Sequence, residues 1–113
     1  MPFLAENAGV IGLDLVDARR EELFSLCRKY GVKRLRLFGS AVKGEFDPVS
    51  SDLDFLVEFH PPVGMNAFRQ FIDLKLGLED LFARHVDLLT WRAVKDAVFR
   101  ERAEESAVEL YAA

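Results

Sequence analysis

Residues 35–58 have the sequence LRLFGSAVKGEFDPVSSDLDFLVE, in which two strand patterns flank a turn-rich connection. The first pattern, over residues 33–38, alternates with Leu35 and Leu37 on one face and stops at Gly39. The second, over residues 53–59, is almost continuously apolar, which is typical of a strand buried on both faces in the middle of a sheet. These two strands therefore predict the centre of the fold.

Two aspartates, Asp52 and Asp54, stand at the start of the second strand pattern. Because strand side chains alternate with a period of two, both carboxylates point to the same face. Two adjacent negative charges are unfavourable unless a positive group lies between them. A divalent cation with oxygen ligands, usually Mg²⁺ where phosphates are present, meets that need. A plain turn or capping role is the alternative for this pair taken alone.

Two further features favour a metal site that also handles phosphate. Gly39 ends the first strand pattern, where a glycine lets a ligand approach the backbone closely, and Ser40 offers a hydroxyl that can donate to phosphate oxygens. Asp87 interrupts a third strand pattern over residues 85–90. If this strand lies beside the second one, three aspartates converge on one face. The sequence thus predicts a metal–nucleotide site.

Helical patterns surround these strands. They run from about residue 14 to 30, over residues 65–83, and from Trp91 or Arg92 to about Tyr111, while residues 1–13 form a loosely ordered leader. The order helix, strand, strand, helix, strand, helix predicts an α/β (α+β) fold with a small mixed sheet of about three strands. Arg34 and Arg36 are expected to face solvent, and Leu76 projects away from the apolar face of the long helix.

Length and composition narrow the class of protein. The chain has 113 residues, which predicts a single domain over residues 1–113, and its net charge of −4 argues against strong nucleic-acid binding. A single cysteine, the lack of a secretory signal and the lack of any apolar run of about 20 residues favour a cytoplasmic protein. His60 and His85 lack partners at zinc-ligand spacing, so a zinc site is not expected.

Three segments together carry a resemblance to a known family: Phe38-Gly39-Ser40-x-x-Lys43-Gly44, Ser51-Asp52-Leu53-Asp54-Phe55-Leu56-Val57 and Val86-Asp87-Leu88-Leu89. They resemble the nucleotidyltransferase signature of the DNA polymerase beta superfamily, and more narrowly that of the MNT group, the minimal nucleotidyltransferases. Members of this group are often encoded beside a HEPN-domain ribonuclease, as the antitoxin of a toxin–antitoxin pair. The likeness covers about residues 15–112 and implies a nucleotidyltransferase fold similar to the polymerase beta palm.

The resemblance also implies the roles of the site residues. Asp52, Asp54 and Asp87 would be catalytic and would hold two Mg²⁺ ions, about 3.5–4 Å apart in such sites. Gly39 and Ser40 would hold the β- and γ-phosphates, with Lys43 as a further nucleotide-binding residue. The implied reaction transfers AMP from ATP to a tyrosine hydroxyl of the HEPN partner, which thereby loses its ribonuclease function.

The chain departs from the family pattern in two places. The eleven residues between Ser40 and Asp52 exceed the usual spacer of the minimal group by one, and Lys43 stands where an arginine is usual. A surface loop accommodates one extra residue at little cost, whereas lysine keeps the charge but loses the bidentate fork of arginine. Neither departure removes a predicted metal ligand.

Two other functions remain open from the sequence. The chain could act as a binding-only antitoxin that masks its toxin by contact, using Leu76 and the apolar C-terminal helix in a homo- or hetero-oligomer. It could also transfer a nucleotide to a small molecule such as an aminoglycoside.

Overall fold

A four-stranded sheet forms the centre of the structure. The computed structural model describes residues 11–43, 46–47 and 50–113, with the backbone alone at Ile11 and Lys43. The strands are β1 (Val32–Phe38), β2 (Leu53–Phe59), β3 (Val86–Thr90) and β4 (Val108–Ala112), in the spatial order β3-β2-β1-β4. β1 is antiparallel to both of its neighbours, whereas β2 and β3 are parallel. This confirms β2 as an inner strand of a mixed sheet.

Helices connect these strands. They are α1 (Ile11–Asp17), α2 (Arg20–Lys29), α3 (Ser40–Lys43), α4 (Ala67–Phe82), a 3₁₀ turn (Trp91–Ala93) and α5 (Ala97–Ser106). Three of them have side-chain N-caps: Asn66 Oδ1 accepts from the backbone N–H of Arg69 at 2.8 Å, Thr90 Oγ1 from that of Ala93 at 3.2 Å, and Asp96 Oδ1 from that of Phe99 at 3.0 Å. Each cap satisfies a donor that the first helical turn leaves unpaired.

The main core lies between one face of the sheet and the helices. Alternate residues of the inner strands point into it, and α2 and α4 cover them with their apolar stripes. Its fully buried members include Leu35, Leu37, Leu53, Phe55, Val57, Leu74 and Leu78. Because these strand residues occupy every second position, the intervening residues of β1 and β2 are left on the opposite face.

The opposite face of the sheet is covered only in part. Leu56 of β2 packs there with Val94 and with Ala103 of α5, and aromatic side chains, including Phe38 and Trp91, complete this second cluster. Phe38 of this cluster is the partner of Asp54 near the start of β2. Asp52, just before β2, and Asp87 of β3 are exposed.

The predicted fold class is confirmed, but the predicted strand count is wrong. The final helix ends at Ser106 rather than near Tyr111, and residues 108–112 form β4 instead. This fourth strand pairs with the side of β1 that does not face β2. The long helix, predicted over residues 65–83, spans Ala67–Phe82, and its Phe68 side chain is 70% exposed.

The first helical pattern also differs from its prediction. It is two helices, α1 and α2, separated at Ala18 and Arg19, instead of one. Residues 11–13, assigned above to the leader, begin α1, and Leu13 is fully buried. Residues 1–10 of the predicted leader lie outside the described residues.

The expectation that Arg36 faces solvent is wrong. Its guanidinium is stacked over the ring of Trp91, with the Arg36 Cζ 4.5 Å from the ring centroid. It also forms ion pairs with Glu58 at 3.5 Å and with Glu104 at 3.6 Å, and the residue is only 4% exposed. A buried charge is tolerated because these partners compensate it. Arg36 thus ties α5 and the 3₁₀ turn to the sheet.

Among the residues that the structure describes, none of the helices has the length and the apolar character needed to cross a membrane.

Replacing Arg36 with alanine should destabilise the fold far more than the same change at Arg34. Arg34 lies two residues earlier on the same face, where it pairs with Glu109 and Glu58 but stays partly exposed. We expect Arg36→Ala to lower the free energy of unfolding by about 2–3 kcal/mol, because it leaves Glu58 and Trp91 without their buried partner, and Arg34→Ala by less than about 1 kcal/mol. Urea denaturation of both variants measures the difference, and equal losses would contradict the role given to Arg36.

Candidate active site

The parallel pairing of β2 with β3 brings the predicted aspartates together. Asp54 and Asp87 are direct partners in this pairing. Asp52 precedes Asp54 by two residues and therefore shares its face. The ladder extends to this end of the sheet, since the backbone N–H of Leu53 donates to the carbonyl oxygen of His85 at 3.2 Å. All three carboxylates thus lie on the partly uncovered face, as expected if the third strand lies beside the second.

Gly39 lies directly against this acidic group. It follows Phe38, which is the partner of Asp54 in the antiparallel pairing of β1 with β2. Its φ is +75°, and a Cβ built there would lie 2.3 Å from Asp54 Oδ2. Both the backbone conformation and the space beside the carboxylate therefore require glycine. Ser40, the next residue, begins the short helix α3.

The Asp54 carboxyl has an unusually high pKa. Burial raises it most, followed by a hydrogen bond with Asp87 and by the negative charges of Asp87 and Asp52, so that the pKa rises from 3.8 to about 6, with His85 acting in the opposite direction. Carboxylates forced together without a cation disfavour ionisation in this way. The raised pKa of Asp54 therefore reflects its burial first and the neighbouring carboxylates second.

His85 belongs to the same group of side chains, which the sequence interpretation missed. Its Nδ1 lies 3.3 Å from Asp52 Oδ2 and 3.8 Å from Asp87 Oδ1. The available signal was its position as the first residue of the third strand pattern, since a parallel pairing of that strand with β2 sets it beside Asp52. The spacing of residues along the chain does not detect ligands that neighbouring strands bring together.

Side chains behind the site hold its backbone in place. Arg84 Nη1 donates to the carbonyl oxygen of Ser51 at 2.9 Å, and its guanidinium lies 5.1 Å from the centroid of the Phe46 ring. Glu79 Oε2 accepts from the backbone N–H of Val86 at 3.1 Å and from Lys75 Nζ at 2.9 Å. The segments that enter β2 and β3 are therefore both anchored just before their aspartates.

The remaining predicted site residue, Lys43, ends α3, and its side chain lies outside the described part of the chain. The same holds for much of the longer spacer, including residues 44–45 and 48–49. The nucleotide-binding role of Lys43 and the effect of the extra spacer residue stay predictions.

The donor set fits a divalent cation. Single ligand atoms from Asp52, His85 and Asp87 all lie within 4.8 Å of one another, and all three residues are exposed. Asp54 adds a third carboxylate beside Asp87, and the missing side chain of Gly39 leaves room for that carboxylate. Hard cations prefer such carboxylate oxygens, and a bound cation would offset the repulsion that, together with burial, raises the pKa of Asp54.

A family model for the nucleotidyltransferase domain matches residues 21–110 of this sequence. The chain belongs to this family. It is therefore an enzyme of the nucleotidyltransferase type, and the predicted resemblance to the minimal nucleotidyltransferases is confirmed.

Two curated relatives agree with this assignment. A candidate protein adenylyltransferase of Methanocaldococcus jannaschii is 32% identical over 95 residues, which cover 84% of this chain and 93% of the relative. The protein adenylyltransferase MntA of Thermococcus cleftensis is 32% identical over 84 residues, which cover 74% of this chain and 78% of the relative.

Solved structures share the fold of this nucleotidyltransferase. A candidate minimal nucleotidyltransferase superposes with a TM-score of 0.69 at 36% identity, covering 84% of this chain and 92% of its own. A complex from Shewanella oneidensis, of an MNT antitoxin with a tri-AMPylated HEPN toxin, gives a TM-score of 0.59 at 18% identity, covering 86% of this chain and 72% of the other. At the latter identity the likeness concerns the fold alone.

Replacing Asp54 with asparagine should stabilise the metal-free protein at neutral and higher pH. Because the pKa of Asp54 is raised to about 6 in the folded state, its contribution to stability is full below the unfolded value near 4 and is lost as the pH rises through 6. Partial exposure reduces the effect, so we expect the variant to exceed the wild type by about 1–2 kcal/mol at pH 8 and by much less at pH 4. Urea denaturation in the presence of a chelator measures this difference. A constant difference across this range would contradict the raised pKa.

Replacing Gly39 with alanine should damage the site as well as the backbone. Gly64 is the matched control, because its φ is +76° and a Cβ there meets no atom within 4 Å. We expect Gly64→Ala to cost about 1 kcal/mol from backbone strain alone. Gly39→Ala should cost at least about 2 kcal/mol and weaken Mg²⁺ binding, because the methyl group displaces the Asp54 carboxylate. Urea denaturation and calorimetric Mg²⁺ titration test both effects, and equal behaviour of the two variants would contradict the contact.

Proposed function

We propose that this chain transfers AMP from ATP to a hydroxyl group of a partner protein, a tyrosine of a HEPN-family ribonuclease toxin, and so acts as its antitoxin. The observation that carries the proposal is the convergence of Asp52, Asp54 and Asp87 on one face of the sheet, beside Gly39. This is the arrangement of acidic groups that nucleotidyl transfer requires.

In this proposal Asp52, Asp54 and Asp87 hold two Mg²⁺ ions. When bound, Mg²⁺ supplies neutralisation of the phosphate charge and makes the acceptor hydroxyl easier to deprotonate. The residues suit this task electrostatically. With a pKa of about 6, Asp54 is mostly ionised at neutral pH, and thus able to bind a cation, although its neighbours oppose its charge.

The chain's own groups would position the triphosphate. Gly39 presents backbone without a side chain at the edge of the acidic group, and Ser40 follows with a hydroxyl donor. The acceptor oxygen attacks the α-phosphorus as the bond from this phosphorus to the bridging oxygen breaks. Pyrophosphate leaves with the electron pair of that bond, and the hydroxyl proton passes to solvent. Catalysis of this kind consists mainly of positioning and charge stabilisation.

The openness of the site favours a protein acceptor. The side chains of Asp52 and Asp87 are 49% and 54% exposed, so a macromolecular surface can reach them directly. Curated relatives named as protein adenylyltransferases support this acceptor class, and the AMPylated HEPN toxin in the Shewanella oneidensis complex supports the partner.

A second candidate function, masking of the toxin by contact alone, rests on α4. Phe68 and Leu76 are 70% and 55% exposed, at positions eight residues apart on one side of this helix. Their exposure offers an apolar surface that is independent of the acidic site.

An adenylylation assay tests the first function. The purified chain is mixed with ATP, Mg²⁺ and the HEPN protein encoded beside its gene, and intact-mass spectrometry follows the partner. We expect the partner to gain the mass of one or more adenylyl groups, and Asp52→Asn to lower the rate by at least about a hundredfold, because a metal ligand is lost. Asp73→Asn, a change of an ion-paired acid on α4, is the matched control and should leave the rate unchanged.

An unmodified partner in the presence of wild-type enzyme would contradict the proposal. Co-expression in cells separates it from masking by contact. Asp52→Asn should fail to protect cells from the toxin if transfer is needed, whereas a variant that protects as well as the wild type would favour masking.

A further inference from the structure

We propose that His85 is a direct metal ligand, and that its nitrogen raises the affinity of this site for Mn²⁺ relative to Mg²⁺. The proposal deepens the function proposed above, because it concerns the same cation site. It rests on the position of His85 between Asp52 and Asp87 and on the distances among their ligand atoms.

These distances suit ligands of one ion. Two ligands at about 2.2 Å from a cation are about 3.1 Å apart when they are at right angles and about 4.4 Å apart when they are opposite. His85 Nδ1 lies 3.3 Å from Asp52 Oδ2 and 3.8 Å from Asp87 Oδ1, inside this interval. Each carboxylate is therefore close enough to the imidazole to share a cation with it, and single ligand atoms of all three residues lie within 4.8 Å of one another.

The backbone on both sides of His85 is fixed. Its carbonyl oxygen accepts from the N–H of Leu53 at 3.2 Å, and the N–H of the next residue, Val86, donates to Glu79 Oε2 at 3.1 Å. The imidazole is thus attached at a fixed point of the site although its side chain is 56% exposed. A ligand held in this way loses little conformational entropy when a metal binds.

The chemistry of the donor set decides the metal. Mg²⁺ prefers oxygen ligands and retains much of its water, whereas imidazole is a good ligand for the first-row transition metals. Mn²⁺ combines a high affinity for carboxylates with acceptance of a nitrogen ligand. Two carboxylates and one imidazole therefore favour Mn²⁺ over Mg²⁺ more than a purely carboxylate site does.

A different role for His85 gives the opposite expectation. A protonated imidazole would be an ion-pair partner of Asp52 and Asp87 and would compete with a cation for them. Removing His85 would then raise the affinity for Mn²⁺ and Mg²⁺ alike. The two roles are therefore separated by the sign of a measured change.

The test is a titration of the full chain with Mn²⁺, followed by the electron paramagnetic resonance signal of the free ion, with Mg²⁺ as the competitor. We expect His85→Gln to weaken Mn²⁺ binding about tenfold and to change Mg²⁺ binding by less than about threefold. His60→Gln, a change of the exposed histidine that follows β2, is the matched control and should alter neither affinity.

Pulsed electron paramagnetic resonance of bound Mn²⁺ gives an independent readout. The wild type and His60→Gln should show coupling to a histidine nitrogen, and His85→Gln should lack it. Absence of this coupling in the wild type, or a rise of both affinities in His85→Gln, would overturn the proposal. Neither result depends on transfer of AMP, so a protein that binds Mn²⁺ through His85 but modifies no partner would contradict only the function proposed above.

Discussion

The register of β2 against β3 is the constraint on which the site depends. It sets Asp54 opposite Asp87, and a shift of one residue would turn one of the two carboxylates into the main core. Burial of Val86 and Leu88 on the core side opposes such a shift, since neither can be exchanged for Asp87 without burying a charge. The apolar alternation that stabilises the sheet thus also places the carboxylates together on one face.

The same alternation explains how much could be predicted from the sequence. The bounds of β2 and the convergence of the aspartates follow from local periodicity and from one assumption about neighbouring strands. β4 was missed because its five residues fit a helix as well as a strand, and its partner β1 lies some seventy residues earlier. The burial of Arg36 was missed for a related reason, since it depends on Trp91 and Glu104 from distant segments. The position of His85 beside Asp52 could be predicted only from the register of β2 against β3.

The two faces of the sheet carry different tasks. The helix-covered face holds the main core, while the other face is shared between a small cluster and the acidic site. Trp91 lies between two guanidinium groups there, with the Cζ atoms of Arg36 and Arg100 at 4.5 and 4.8 Å from its ring centroid. This stack fixes the segment after β3 against the sheet. Because β3 also carries Asp87, the stack restricts the end of the strand that lies opposite the site.

The acidic site has an energetic consequence for the whole domain. Burial and, after it, the neighbouring carboxylates raise the pKa of Asp54 to about 6 and so destabilise the metal-free fold at neutral pH. A cation bound by these carboxylates would offset part of that cost, and its binding would then be coupled to folding through Asp54. The exposure of Asp52 and Asp87 adds a second requirement, because phosphoryl transfer proceeds best where water is excluded. In the proposed transfer, the surface of the acceptor protein would contact these exposed side chains, and the fit between the two protein surfaces would then help to select the hydroxyl that is modified.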